Sequence, residues 1–207
     1  MKIWNASLLA FALLASAGVA AEPMHSAPTP DKTWPFDSTS SEQLQQKGGS
    51  AVEAAGVRKQ CLVLKGKSLL EAKDSALVPN SQKPFTVIVW FNPYNLDRGQ
   101  QMIVAKNRYS LNEREWGVMV DRDEKLRLYV RQDGWITAHA DATLKTGHWH
   151  QAGVVVGADK AELWLNGKLA DTITLSRPIP STKAPLTFGG VDDNGRIWQN
   201  FMGALEE

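Results

Sequence analysis

The stretch F-T-V-I-V-W-F-N-P at Phe85–Pro93 decides the fold class of this chain. Its residues are β-branched or aromatic from Phe85 to Phe91, which is typical of a β-strand, and Pro93 is expected to stop that strand. Because both faces of the strand are apolar, we expect it to lie in the centre of a sheet or to have its second face covered.

Short segments of the same kind surround this strand and are separated by turn residues. The residue pair Asn166-Gly167 is the strongest short hairpin signal, and it predicts a hairpin between 161–165 and 168–174. Further strands are predicted at 62–64, 102–105, 116–120, 126–130, 135–139, 149–156, 186–188 and 201–205. The polar stretch 38–56 is expected to be a surface connection. Because no segment shows helical periodicity over three turns, the pattern predicts an all-β antiparallel sandwich or barrel.

The N-terminus has the layout of a secretory signal peptide. Lys2 precedes an apolar run at 8–15, and small residues follow up to Ala21. The alternative is a membrane anchor, but the apolar run is too short to span a bilayer. We therefore predict cleavage after Ala21, a flexible leader at 22–33 that holds three prolines, and a domain at 34–207. The predicted location is secreted or periplasmic, without membrane insertion.

The charge balance excludes some partners. The chain has 23 basic and 22 acidic residues and a formal net charge of +1, so it offers no electrostatic reason to bind nucleic acid or an anionic membrane. Cys61 is the single cysteine and cannot form an intrachain disulfide, and secretion without disulfides favours a bacterial source. Because Cys61 lies in an apolar run, we expect it to be a buried structural residue.

An ordered set of motifs carries a family resemblance. The segments are F-T-V-I-V-W-F-N-P (85–93), W-G-V-M-V-D (116–121), L-R-L-Y-V (126–130), T-G-H-W-H-Q-A-G-V-V-V (146–156), A-E-L-W-L-N-G-K-L (161–169), P-L-T-F-G-G (185–190) and F-M-G-A-L-E-E (201–207). In this order they resemble the laminin-G-like, concanavalin A-like jelly rolls, over residues 34–207. The resemblance implies a two-sheet antiparallel jelly-roll sandwich. Because fold does not fix function, the function it implies is an analogy.

The resemblance also bears on the C-terminus. The last strand of the family runs several residues beyond the segment that matches 203–207, whereas this sequence stops at Glu207. Either the strand is cut short or the chain is a fragment of a longer protein. We expect the second, since an unfinished strand leaves unpaired backbone groups on its neighbour.

Candidate catalytic groups are few. Glu113 and Glu115 have the i, i+2 spacing that could pair two carboxyl groups for glycoside hydrolysis, but the E-x-D-x-x-E pattern of glucanases with this fold is missing. His148 and His150 could begin a zinc site, but no further ligand stands at a suitable spacing. We interpret all four residues as structural and predict that the chain is not an enzyme.

A glycan site needs exposed rings together with hydrogen-bonding side chains. Three predicted turns or loops combine a ring with an arginine, and their residues are Trp135 with Arg131, Tyr109 with Arg108, and Trp198 with Arg196. For Trp135 and Trp198 the alternative is packing at a sheet edge. Four other indoles lie within predicted strands and are expected in the core: Trp90, Trp116, Trp149 and Trp164.

A structural Ca²⁺ is the one cofactor that the resemblance implies. Modules of this type often bind it where the first and last strands meet, and Asp37 and Glu206 are the candidates by position. The turn Asp192-Asp193-Asn194-Gly195 is a second oxygen-rich segment, with a plain Asn-Gly turn as the alternative.

These observations predict a non-catalytic, secreted carbohydrate-binding or adhesion module whose partner is a polysaccharide or another glycan. The alternative is a passive accessory domain of a larger secreted glycoside hydrolase or sulfatase, whose catalytic domain is not in this sequence. A glycosidase in its own right is the third hypothesis, and it rests on fold analogy alone.

Overall fold

Two large antiparallel β-sheets pack face to face in the computed structural model, which describes residues 2–4, 30, 32–34, 36, 38, 42–58, 60–73 and 78–206. The strands, in chain order, are β1 (Lys2–Trp4), β2 (Lys32–Thr33), β3 (Leu44–Gly48), β4 (Ala51–Ala55), β5 (Gln60–Lys65), β6 (Ser68–Ala72), β7 (Phe85–Pro93), β8 (Gln101–Arg108), β9 (Glu113–Val120), β10 (Lys125–Arg131), β11 (Trp135–Thr143), β12 (His150–Val156), β13 (Lys160–Leu165), β14 (Lys168–Thr174), β15 (Leu186–Phe188), β16 (Val191–Asp193), β17 (Arg196–Trp198) and β18 (Met202–Glu206). One 3-10 turn, Tyr109–Leu111, joins β8 to β9.

Each sheet mixes strands that are distant in sequence, as the jelly-roll prediction requires. Among the described residues, the seven-stranded sheet has the order β11-β10-β9-β8-β15-β6-β3. The nine-stranded sheet has the order β14-β13-β12-β7-β18-β5-β4, with β1 and β2 paired beside β7. A small third sheet is the hairpin β16–β17. The predicted all-β sandwich is therefore confirmed.

Strand β7 occupies a central position, as its two apolar faces predict. It pairs with β12 from Phe85 to Phe91 on one side, and with β18 and β1 on the other side. The Asn-Gly hairpin is also confirmed, because β13 and β14 pair around Asn166 and Gly167, both of which have positive φ.

The core lies between the two sheets and is built by strict alternation. In β10 the side chains of Leu126, Leu128 and Val130 are buried, while the residues between them point to the opposite face. Aromatic rings fill the middle of the core: Trp34 packs against Phe188 with ring centroids 5.9 Å apart. Each fully buried Leu, Val or Phe stabilises the fold by roughly 1.5–3 kcal/mol relative to an exposed one.

The prediction of a surface connection at 38–56 is wrong for most of its length, because β3 and β4 form there. Both are terminal strands, β3 of the seven-stranded sheet and β4 of the nine-stranded one. Strand β4 buries only Ala51 fully, so its polar sequence gives little periodic signal. The backbone pairing of β4 with β5 stabilises its extended conformation, because the sequence of β4 has little strand preference of its own.

The prediction for the four strand indoles is correct only for Trp116, which is fully buried in the core. Trp90, Trp149 and Trp164 are partly exposed. Gly153 lies between β7 and β13, and the Trp164 side chain sits directly over it on the outer face of the nine-stranded sheet. Trp90 and Trp164 take outward register positions because their strand neighbours Val89 and Leu163 face the core, whereas Trp149 lies just before β12.

Several predictions fall on residues that the structure does not describe. Asp37 and residues 5–29, which hold most of the predicted signal peptide and leader, lie outside the described residues. Cys61 is described and buried, as expected, and burial raises the pKa of its thiol. In the described part of the chain, no helix is long and apolar enough to cross a membrane.

Candidate functional site

The outer face of the seven-stranded sheet carries a set of rings and guanidinium groups. Because Leu128 and Val130 of β10 face the core, Tyr129 and Arg131 of the same strand point outward. In the antiparallel pairing of β10 with β11, Arg131 stands directly opposite Trp135. Register therefore places three candidate binding groups side by side on one surface.

Tyr109, Tyr129 and Trp135 form what we call the aromatic cluster. The 3-10 turn after β8 contains Tyr109, and it ends at Asn112 in the left-handed conformation with φ of 56°. The Trp135 ring meets Tyr109 edge-on at 6.5 Å between centroids, and it meets Tyr129 edge-on at 6.1 Å. The Arg131 Cζ lies 5.8 Å from the Trp135 ring centroid. Edge-to-face packing of this kind holds the rings in fixed orientations.

A small apolar cluster supports these rings from beneath. Met102, Ala105, Met119 and Val191 are buried together, and Tyr109 and Tyr129 pack against them. Val191 belongs to the hairpin β16–β17, which lies over this part of the sheet. The aromatic cluster is thus seated on a packed base rather than on a mobile loop.

The turn of the hairpin β16–β17 is an ordinary Asn-Gly turn. Asn194 and Gly195 have φ of 58° and 90°, as a two-residue hairpin turn requires. The Asp192 carboxylate accepts from Gly195 N and forms a 2.6 Å ion pair with Lys47. Asp193 accepts a hydrogen bond from Ser110 N at 2.7 Å. Both acidic side chains therefore attach the hairpin to its surroundings.

A cleft of about 550 Å³ opens beside the aromatic cluster. Its lining residues are Arg98, Gly99, Gln100, Tyr109, Arg122, Asp193, Trp198, Gln199 and Asn200. The Trp198 indole is 40% exposed and carries the Arg196 guanidinium on its ring at 3.9 Å. The cleft thus combines an accessible ring with amide and guanidinium donors.

Hydrogen bonds connect the cleft to the aromatic cluster. The Tyr109 hydroxyl donates to Gln199 Oε1 at 3.0 Å, and Gln199 Nε2 donates to Gln100 Oε1 at 3.0 Å. Gln100 Nε2 in turn donates to the Tyr129 hydroxyl and to Asp121 Oδ1. This chain of hydrogen bonds fixes the orientation of both glutamine side chains, because in each amide the oxygen accepts a hydrogen bond while the nitrogen donates to an acceptor.

The protonation states of this network follow from burial and charge. Burial raises the pKa of Tyr109 to about 12, so its hydroxyl stays a donor at neutral pH. Burial and the Asp121 carboxylate raise the pKa of Tyr129 as well. Burial alone would raise the pKa of Asp121, but hydrogen bonds from Arg122 N, Tyr129 and Gln100, and the Arg127 charge, lower it. Asp121 is therefore a charged acceptor at neutral pH.

The structure brings most of the sequence-predicted binding residues together. Tyr109 and Trp198 line the cleft, Arg196 stacks on Trp198, and Trp135 with Arg131 stands in contact with Tyr109. Arg108 does not join them: it pairs with Glu113 at 3.5 Å and lines a separate depression of about 450 Å³.

Sequence reasoning missed five polar side chains of the cleft, Arg98, Gln100, Arg122, Gln199 and Asn200. Arg98 and Gln100 stand in the β7–β8 connection, Arg122 in the β9–β10 turn and Gln199 between β17 and β18. These loops were visible in the sequence as turn-rich segments. What the sequence did not show is that they converge with Tyr109 over one sheet face.

The two candidate catalytic carboxylates, Glu113 and Glu115, both bind other side chains of the protein. Glu115 is fully buried, and its Oε1 accepts from Lys106 Nζ at 2.5 Å and from Thr182 N at 2.6 Å. The Ser81 hydroxyl donates to its other oxygen. Glu113 faces Arg108 instead. Neither carboxylate lines the cleft.

The histidines and Glu206 also have protein partners. His150 is buried, burial lowers its pKa, and its Nε2 lies 3.3 Å from both N and O of Lys145. Glu206 Oε1 accepts from Arg58 N at 2.7 Å, and its Oε2 accepts from Val57 N. Two backbone amides therefore donate to this carboxylate, one to each oxygen. Within the described ranges, no group of three or more His, Cys, Asp or Glu residues could hold a metal ion.

The family of the chain follows from its sequence and fold together. The family model of the concanavalin A-like lectin/glucanase superfamily of laminin-G type matches residues 65–207. The chain therefore belongs to the concanavalin A-like lectin/glucanase superfamily, which confirms the resemblance carried by its motifs. No curated protein sequence matches the chain.

Solved structures agree on the fold at low sequence identity. Domain 4 of AbnA, a GH43 extracellular arabinanase from Geobacillus stearothermophilus in complex with arabinotriose, is 20% identical with a TM-score of 0.61, and the match covers 79% of each chain. The CBM40 of the Ruminococcus gnavus IT-sialidase, bound to α2,3 sialyllactose, is 13% identical with a TM-score of 0.57. That match covers 78% of this chain and 88% of the CBM40.

Proposed function

We propose that this chain is a non-catalytic, secreted carbohydrate-binding or adhesion module that binds a polysaccharide or another glycan on the outer face of its seven-stranded sheet. The observation that carries the proposal is the joining of the aromatic cluster to the cleft through the hydrogen bonds of Tyr109, Gln199 and Gln100. Sugars present apolar C–H faces and peripheral hydroxyls, and this surface offers rings and oriented amides within one recess.

The solved structures support the same class of ligand. Domain 4 of AbnA was solved with arabinotriose and the CBM40 with sialyllactose, so modules of this fold hold oligosaccharides. The non-catalytic part of the proposal is supported by Glu115, whose carboxylate is buried and engaged by Lys106, Ser81 and Thr182. A glycosidase acid or nucleophile must instead reach the glycosidic bond.

The test is retention of the purified protein on a panel of insoluble and immobilised polysaccharides. We expect the wild-type chain to bind at least one polymer, and Trp135→Ala and Trp198→Ala each to weaken that binding at least about tenfold, as is usual for a central indole. The matched control is Trp164→Ala, which removes an equally large ring from the outer face of the other sheet.

Loss of binding in Trp164→Ala with full binding in Trp135→Ala would move the site to the nine-stranded sheet and contradict the proposal. Absence of binding to every polymer, from a chain with a cooperative unfolding transition, would remove the function itself. A parallel panel with a calcium chelator tests the structural Ca²⁺ proposal: binding or stability that depends on calcium supports it, and unchanged behaviour contradicts it.

A second candidate function is a passive accessory domain packed against a catalytic domain of the same secreted protein. The indoles Trp90 and Trp164 favour it, since both stay partly exposed on the outer face of the nine-stranded sheet beside Ile88 and Val155. Apolar surface of this kind is a common docking feature between domains. A folded chain that retains no glycan but stabilises a co-expressed hydrolase or sulfatase domain would support this candidate.

A further inference from the structure

The cleft has more positive than negative side chains in its lining. Its charged lining residues are Arg98, Arg122 and Asp193, which give two positive groups and one negative group. Asp193 is engaged by Ser110 N. The chain as a whole is close to neutral, with a formal net charge of +1, so a positive cleft is a local property.

Among the described residues, neither the Arg98 nor the Arg122 guanidinium forms an ion pair with a carboxylate. In the part of the chain that the structure describes, the arginines with an ion pair are others, namely Arg108, Arg127 and Arg177. The two acidic residues beside Arg122 form ion pairs with a different arginine, because Asp121 and Asp123 both pair with Arg127. Arg98 and Arg122 therefore keep their charge available at the cleft.

Arg98 is also held in position. Its Nη2 donates to Gly66 O at 3.3 Å, and its guanidinium lies where a side chain at residue 66 would stand. Gly66 has φ of 74°, so the backbone there favours glycine. The remaining donors of the Arg98 fork are not used by this contact, and a guanidinium fork matches the two oxygens of a carboxylate or a sulfate.

We infer that the cleft selects an anionic glycan, with Arg98 and Arg122 binding a carboxylate or sulfate group while Trp198 and Tyr109 contact the sugar ring. This inference rests on the proposed carbohydrate-binding function and adds the class of ligand to it. The negative group would enter between the β7–β8 connection and the β9–β10 turn, where the two arginines stand.

The experiment compares glycans that differ only in charge. The probes are polygalacturonate and its fully methyl-esterified form, which share one backbone, and chondroitin sulfate with its desulfated form as the sulfate arm. Affinity is measured by titration calorimetry at two salt concentrations. We expect at least one anionic probe to bind about tenfold more tightly than its uncharged or less charged partner, with weaker binding at high salt.

Variants assign the preference to the cleft. Arg98→Gln and Arg122→Gln are each expected to weaken binding of the anionic probe about tenfold, and to weaken binding of the esterified probe by a much smaller factor. Arg58→Gln is the matched control, because it removes a guanidinium group that does not line the cleft. Arg58 precedes β5, whereas Gly66, the residue that Arg98 contacts, follows β5 at its other end. Trp198→Ala is expected to weaken both probes of a pair.

The outcomes separate this inference from the proposed function. Equal affinity for charged and uncharged partners, or an anionic preference that survives Arg98→Gln and Arg122→Gln, would overturn the inference and leave the carbohydrate-binding proposal standing. Failure of the folded protein to bind any glycan, neutral or anionic, would overturn both.

Discussion

At the scale of single residues, Glu115 is a fully buried carboxylate. A fully buried carboxylate is stable only if its charge and hydrogen-bonding capacity are satisfied, and Lys106, Ser81 and Thr182 supply the donors. We therefore expect Glu115→Gln to lower the free energy of unfolding by about 3 kcal/mol, because Lys106 loses its countercharge. Urea unfolding followed by tryptophan fluorescence measures this.

The control for Glu115 is its neighbour on the same strand. Glu113→Gln removes a partly exposed ion pair with Arg108 and is expected to change the stability by less than about 1 kcal/mol. Equal effects of the two substitutions would contradict the structural role assigned to Glu115.

Asp121 gives the molecule an acid-dependent stability. Its pKa is lowered in the folded protein: burial opposes the charge, but the Tyr129 and Gln100 hydrogen bonds and Arg127 outweigh burial. A lowered pKa adds stability above the ordinary value of about 3.9, and this stability is lost as pH falls through the folded-state pKa. Wild type should therefore exceed Asp121→Asn in stability by a constant amount above about pH 5, and by less below about pH 4.

Denaturant midpoints between pH 7 and pH 3 measure this difference. Asp141→Asn serves as the control, because the Asp141 side chain is 94% exposed, and its curve should run parallel to that of the wild type. A difference between wild type and Asp121→Asn that does not shrink on acidification would show that the Asp121 charge does not stabilise the fold.

At the scale of elements, the hairpin β16–β17 connects stability to the candidate site. It covers Met102 and Met119 and carries both Asp193 and Trp198 to the cleft. Its ion pair between Asp192 and Lys47 is only partly exposed. We expect Asp192→Asn to weaken this attachment by about 1 kcal/mol, which corresponds to about fivefold faster hydrogen exchange of the amides in 191–198.

Exchange in the central strand β7 should not respond to that change, since its amides pair with β12 and β18 rather than with the hairpin. Faster exchange throughout the sandwich would mean that Asp192 stabilises the whole fold. Unchanged exchange in 191–198 would mean that the ion pair between Asp192 and Lys47 does not hold the hairpin in place.

At the scale of the whole molecule, the sandwich could be predicted from sequence because most of its strands are β-branched, aromatic and bounded by Gly, Asn or Asp. The exceptions have physical reasons. Strands β3 and β4 are terminal in their sheets and polar, and β6, β16 and β17, which were also missed, have at most five residues each. Pairing partners define such strands, and pairing is not a local property of the sequence.

The candidate site was predictable to a lesser degree. Rings next to turns pointed to Tyr109, Trp135 and Trp198, because exposed aromatic residues in loops indicate binding. Arg98 and Arg122 were missed, since the sequence does not show which loops meet over a sheet face. Their placement depends on the stacking order of strands that are far apart in the chain.

The central claim, that the outer face of the seven-stranded sheet binds glycan, is tested most directly by NMR of the tryptophan indole N–H groups during titration with a mixture of neutral and acidic oligosaccharides. The account predicts that the Trp135 and Trp198 signals shift and saturate, while the Trp90 and Trp164 signals, from the opposite outer face, stay in place. Shifts confined to Trp90 and Trp164, or no shift in any indole of the folded protein, would contradict it.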